Sequence, residues 1–160
     1  MIRNVKIEDS KDIAKINNYY ILNTCITFDM EKIELNDMKE KIKKHINRDP
    51  WIVYEENNRV IGYAYVSEWR SKAAFDLTKE VTIYLDINEK GKGVGTKLME
   101  ELLKRCREAG IHTLVSVITM PNDVSVSLHE KFGFKNVAYY KEVGYKQEKW
   151  LDVGSWHLLL

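Results

Sequence analysis

The stretch that most limits what this chain can fold into runs from residue 81 to residue 98. Val81-Thr82-Ile83-Tyr84-Leu85-Asp86-Ile87 is β-branched and aromatic enough to form a strand, and Lys90-Gly91-Lys92-Gly93-Val94-Gly95-Thr96 follows it. Val94, Leu98, Leu102 and Cys106, flanked by Met99 and Leu103, then recur at helical spacing. The segment reads as strand, glycine turn, helix. Glycines at alternate positions open backbone dihedrals closed to other residues and clear side chains from a close approach. Where such a turn meets a helix start, unpaired N–H groups and the positive end of the helix dipole converge, which suits a phosphate or pyrophosphate. Lys90, Lys92 and Lys97 add positive charge there.

Two common phosphate motifs do not fit. In a Walker loop the lysine precedes Ser or Thr, whereas here the order is Gly95-Thr96-Lys97. A dinucleotide fingerprint wants G-x-G-x-x-G early in a βαβ unit with an acid about twenty residues on. Here the third glycine comes one residue early, and the next strand, around Thr113 to Thr119, has no acid at its end.

The flanking chain sets the architecture. Met1 to Ile7 alternates like a strand and lacks the apolar run of a signal peptide. Ile13, Ile16 and Tyr20 mark a first helix to about Asn23. Leu35, Met38, Ile42 and Ile46 mark a second, whose lysines Lys39, Lys41, Lys43 and Lys44 read as its wet face. Asp49-Pro50 ends it. Trp51 to Tyr54 and Val60 to Ser67, joined at Glu56-Asn57-Asn58, form a hairpin. The loop Trp69 to Asp76, aromatic and cationic, is a candidate substrate wall. After the central helix, which stops at Ala109-Gly110, come a strand from His112 to Thr119 and a short helix from Pro121-Asn122. Closing strands run from Phe134 to Tyr140 and from Trp150 to Leu160, with Gly144 in the turn between. The order β-α-α-β-β-β-α-β-α-β-β predicts an α/β fold over residues 1–160, a single mixed β-sheet flanked by helices on both faces.

At 160 residues and net charge +1 the chain suits one domain, with no global electrostatic case for nucleic acid or an anionic membrane. No stretch approaches the roughly 18 apolar residues of a membrane span. Cys25 and Cys106 are too few for a disulfide framework, which fits a reducing cytoplasm, and the four histidines are scattered without metal-ligand spacing.

Lys90-Gly91-Lys92-Gly93-Val94-Gly95 resembles the Q/R-x-x-G-x-G/A loop of the GNAT-type N-acetyltransferases, with lysine in the first position. The element order is theirs as well. Further pieces resemble the phosphinothricin and methionine sulfoximine acetyltransferase group: Thr24 to Phe28, Trp69 to Asp76, Glu80 to Tyr84, Pro121-Asn122-Asp123, Leu128-His129-Glu130, Gly144-Tyr145-Lys146 and Trp150 to Gly154.

The resemblance implies an acetyl-CoA-dependent N-acetyltransferase that acetylates the amine of a small amino-acid-like substrate by direct attack in a ternary complex. No metal is implied. An amine must lose its proton before it attacks. Glu80 matches the general-base position, and His129, seven residues beyond Asn122, stands where many relatives have a tyrosine acid. For the cofactor, the resemblance assigns the backbone of Ile83, Tyr84 and Leu85 to the pantetheine arm. It assigns Gly91, Lys92, Gly93, Val94, Gly95 and Thr96 to the pyrophosphate, and Asn122 and Lys131 to pantetheine and phosphate. For the substrate it assigns Arg70 and Lys72 to acid groups, and Phe28 and Phe75 to apolar walls, with Tyr65 and Tyr84 nearby. Phe75 replaces the tyrosine of the resistance enzymes. A homodimer in the cytoplasm is implied too. The alternatives are another amine, such as a peptide N-terminus or a polyamine, and a non-catalytic acetyl-CoA sensor.

Overall fold

The computed structural model describes residues 1–160. The chain runs β1 (Ile2–Asn4), α1 (Ser10–Asn23), α2 (Leu35–His45), β2 (Trp51–Glu56), β3 (Arg59–Glu68), β4 (Thr78–Leu85), α3 (Val94–Glu108), β5 (Thr113–Met120), α4 (Asp123–Lys131), β6 (Lys135–Lys146) and β7 (Lys149–Leu159). This is the predicted order. The seven strands make one mixed sheet, β1-β2-β3-β4-β5-β7-β6, in which only β4 and β5 are parallel, α3 being their crossover.

Each face buries its own apolar cluster. Leu98, Met99, Leu102 and Cys106 of α3 lie against Ile52, Ala64, Val66, Val81 and Leu114, the alternate residues of β2 to β5. The opposite face carries α1 and α2, whose Ile13, Ile16, Met38 and Ile42 cover Trp51, Val53, Tyr63 and Tyr65. The β2–β3 hairpin turns at Asn57-Asn58, both with positive φ (51° and 59°), a conformation asparagine tolerates.

The parallel pairing between β4 and β5 covers only Thr78, Lys79 and Glu80 against Thr113, Leu114 and Val115. Beyond that point β4 stays bonded to β3 as far as Leu85, and β5 stays bonded to β7 as far as Met120. Pinned to different outer neighbours, the two strands part and open a gap in the middle of the sheet.

Two boundaries differ from the sequence reading. Ile87 is not in the central strand: β4 ends at Leu85, and the Asp86 carboxylate accepts the Asn88 N–H (3.0 Å), starting a short helical turn, Ile87–Glu89. Nor does Gly144 form the closing turn. It lies inside β6 opposite Leu151, and the chain reverses at Gln147-Glu148, whose φ values are 51° and 59°. The glycine answers to packing, because a Cβ at position 144 would stand 2.1 Å from Phe28 Cε1.

Gly144→Ala is therefore expected to push the Phe28 ring aside at a cost of about 1–3 kcal/mol. Denaturant unfolding against wild type measures this, and an unchanged midpoint would show that the ring has room to retreat.

Candidate active site

Glu80 stands at the apex of the gap, in the last residue pair before β4 and β5 separate. Strand alternation places Glu80, Thr82 and Tyr84 on one face, opposite Ser67, Tyr65 and Tyr63 of β3, beneath α1 and α2. The carboxylate is half-buried and makes no hydrogen bond or ion pair with another side chain, so burial alone raises its pKa above the ordinary 4.5. It opens on a cleft of about 260 Å³ walled by β4, β5, α2, the start of α4 and the loop between α1 and α2. Tyr84, in the same wall, has its hydroxyl pushed up to about 12, chiefly by burial.

His129 lines the far wall but is only 2% exposed. Its Nδ1 lies 2.8 Å from the Ser125 carbonyl, which can only accept, so Nδ1 carries the proton. Nε2, 2.8 Å from Ser116 Oγ, then accepts the serine hydroxyl. Burial depresses the imidazole pKa below its ordinary 6.5, and the ring is neutral at pH 7. His129 thus meets the cleft through Ser116, a residue that a single serine in a strand gave no reason to select.

At the other end of the gap, Gly91 and Gly93 both have left-handed φ (78° and 77°). Gly93 is the N-cap of α3 and supplies no capping side chain. The first helical bond runs from Lys97 N–H to the Gly93 carbonyl, so the N–H groups of Val94, Gly95 and Thr96 have no helical partner. Such a bare helix start, with no Cβ on Gly93, fits an oxyanion such as a diphosphate. The lysines around it are engaged: Lys92 with Glu89 at 2.7 Å, Lys90 over the Tyr20 ring and Lys97 over that of Tyr54.

The remaining predicted residues divide. Ile83, Tyr84, Asn122 and Phe28 line the cleft, and Asn122 also caps α4 through the Ser125 N–H. The Leu85 carbonyl is taken by the Tyr20 hydroxyl at 2.7 Å. Lys131 is exposed at the end of α4. Arg70, Lys72 and Phe75 are not brought to the cleft: Arg70 and Lys72 are exposed, Arg70 lies over the Trp69 ring, and Phe75 packs edge-on against Trp69. Lys41, expected on the wet face of α2, lines the cleft instead, turned inward because it flanks the buried Met38 and Ile42. No group of three or more His, Cys, Asp or Glu side chains is placed to hold a metal ion, and no helix is long and apolar enough to cross a membrane.

Fold and cleft together have the form of an acyl-coenzyme A-dependent transferase. Residues 17–134 match the Acetyltransferase (GNAT) family, and the chain belongs to it. It is 34% identical over 155 residues to the phosphinothricin N-acetyltransferase of Streptomyces viridochromogenes, covering 97% of this chain and 85% of that one. It is 33% identical to the L-methionine sulfoximine/L-methionine sulfone acetyltransferase of Salmonella typhimurium, covering 95% and 90%. Among solved structures, the phosphinothricin acetyltransferase of Sinorhizobium meliloti in complex with acetyl-CoA superposes with a TM-score of 0.96 at 30% identity, over 100% of this chain and 88% of that one.

The neutral buried His129 has a consequence for acid stability. Its folded pKa lies below the unfolded value, so the unfolded chain takes up the proton first. Stability contributed by the neutral ring is complete above about pH 6.5 and is lost as pH falls through the folded pKa. His129→Gln is expected to flatten that loss in unfolding curves recorded from pH 7.5 to 5, and parallel wild-type and variant curves would refute it.

Proposed function

We propose that this chain transfers the acetyl group of acetyl-CoA to the α-amine of a small amino acid or analogue, of the kind represented by phosphinothricin and methionine sulfoximine. The observation that carries the reading is the unpartnered Glu80 carboxylate at the apex of the gap between β4 and β5. Residues 1–160 act as one domain.

Acetyl-CoA, when bound, supplies the thioester carbonyl and a thiolate leaving group. The uncapped N–H groups from Val94 to Thr96 would hold its diphosphate, with Gly91, Lys92, Gly93 and Gly95 shaping the turn and Lys131 near its outer end. Main-chain groups of Ile83 and Tyr84 on the parted edge of β4 would pair with the pantetheine amides as an added strand does, Asn122 facing them across the gap. Leu85 would contribute its N–H side only, since Tyr20 occupies its carbonyl.

Glu80 takes one proton from the substrate ammonium, directly or through water, and the freed nitrogen lone pair attacks the thioester carbonyl. Burial suits the carboxylate to this task, because a raised pKa makes it a stronger base than a surface glutamate. The Ser116 hydroxyl donates to neutral His129, so this pair is arranged to take up a proton rather than to supply one, and it would serve as the auxiliary base of the opposite wall. Phe28 forms the apolar floor for the substrate side chain. Arg70, Lys72 and Phe75 precede β4 in the chain and lie outside the cleft lining.

We also propose a homodimer in the cytoplasm. Val137, Tyr139, Tyr140, Val143, Tyr145 and Trp150 on the closing hairpin are each more than half exposed, and β6 is a sheet edge. Two free cysteines support the compartment. Sedimentation at micromolar concentration should give a dimer that Trp150→Glu weakens, and a monomer at every concentration would end this part of the proposal.

The function is tested by following thiol release from acetyl-CoA with methionine sulfone, phosphinothricin and a panel of amino acids. Glu80→Gln is expected to lower kcat more than tenfold with CoA affinity nearly unchanged, a roughly 10²–10⁴-fold loss being usual for a general base. It should also abolish the acid limb of the wild-type rate profile, whose midpoint lies above pH 4.5 because Glu80 must be ionised to act. Unchanged turnover would remove the base assignment.

A further inference from the structure

Lys41 is a cation in the cleft with no carboxylate partner. On α2 it flanks the buried Met38 and Ile42, and it is itself half-buried. Its ammonium donates to the Tyr65 hydroxyl at 2.9 Å and lies 5.0 Å from the centre of that ring. Tyr65 is held in turn, 7% exposed and stacked on Trp51 with centroids 4.3 Å apart. Lys43 pairs with Glu40 and Lys79 with Asp49, whereas Lys41, like Lys39 and Lys44 on the same helix, joins none of the chain's ion pairs. It is the only lysine or arginine among the side chains lining the cleft.

An ammonium carries three donors, and one neutral hydroxyl leaves two of them unmet. Partial burial without a counter-ion is unfavourable until an anion arrives. The place of this cation relative to Glu80 defines what that anion belongs to. Tyr65 stands opposite Thr82, two residues along β4 from Glu80 and on the same sheet face, a strand distance of roughly 7 Å. One molecule spanning the two sites would present an amine to the carboxylate and an anion to the ammonium, as an α-amino acid does. A simple amine without an acid group would leave the Lys41 ammonium with no anion to bind.

We propose that Lys41, steadied by Tyr65, is the subsite that binds the substrate's α-carboxylate and selects amino acids over simple amines. This deepens the amino-acid reading and depends on it. The Lys41 ammonium donates to the carboxylate oxygens in charge-assisted bonds, while Arg70 and Lys72 lie outside the cleft lining. No bond to carbon changes at this subsite.

The test compares L-methionine sulfone with its carboxamide, which keeps the amine and removes the negative charge. Wild type is expected to prefer the acid. In Lys41→Met the KM for the acid rises about tenfold or more, with kcat and CoA affinity little changed, and the KM for the amide stays the same. Lys41→Arg retains the preference for the acid. A wild type that handles acid and amide alike overturns the proposal, as does a Lys41→Met enzyme that still prefers the acid. So does a preference lost in Arg70→Gln or Lys72→Gln while Lys41→Met keeps it. Failure of the amino-acid reading itself is told apart because it appears in wild type before any substitution: CoA binds, and no amino acid in the panel releases thiol.

Discussion

The divergence of β4 and β5 is the constraint on which the rest of this structure depends. Two parallel strands that stayed paired would satisfy each other's N–H and C=O groups and leave an ordinary sheet interior. Here each is bonded more extensively to its antiparallel outer neighbour, β4 to β3 through Leu85 and β5 to β7 through Met120, and parallel pairing ends at Glu80 and Val115. The separation turns the centre of the sheet into a site. It leaves main-chain groups of β4 free along one wall and sets a carboxylate at the apex, where burial raises its pKa with no opposing partner. The same separation brings the start of α3 to the gap, because the crossover leaves from the end of β4.

The opposite wall is built from parts distant in sequence. The loop after α1 is held over the cleft by the C-terminal hairpin: Lys146 Nζ donates to the Thr27 carbonyl at 2.8 Å, and Phe28 rests on the bare Cα of Gly144. Thr119 on β5 adds a bond to the Ile26 carbonyl at 3.3 Å. Lys146 is itself buried, and desolvation holds its ammonium below the ordinary lysine range. The hairpin that presents an apolar edge to solvent therefore also shapes this wall of the cleft.

Much of this was legible in the residue order. Apolar spacing from Val94 to Cys106 set α3, asparagines at 57 and 58 set the first hairpin, and the glycines at 91 and 93 marked a bare helix start that the structure realises with two left-handed φ values. Glu80 was indicated by the resemblance of the segment Glu80 to Tyr84 to the acetyltransferase group, and the strand carrying it is recognisable by itself. Local features of this kind are written in propensity and period, which act over a few residues.

Other features had no local sign. A lysine on an amphipathic helix looks alike whether it meets water or a cleft, and only the seating of Met38 and Ile42 on the sheet turned Lys41 inward. Gly144 resembled a turn residue, and the contact that requires it comes from Phe28, more than a hundred positions away. Ser116 gained meaning from the ring it bonds. The sequence by itself determined the elements, their order and the glycine turn, because backbone preference and hydrophobic period are local. The tertiary structure alone decided where the sheet opens, which cation faces the opening and which tautomer His129 holds, because those follow from partners that meet only once the chain has folded.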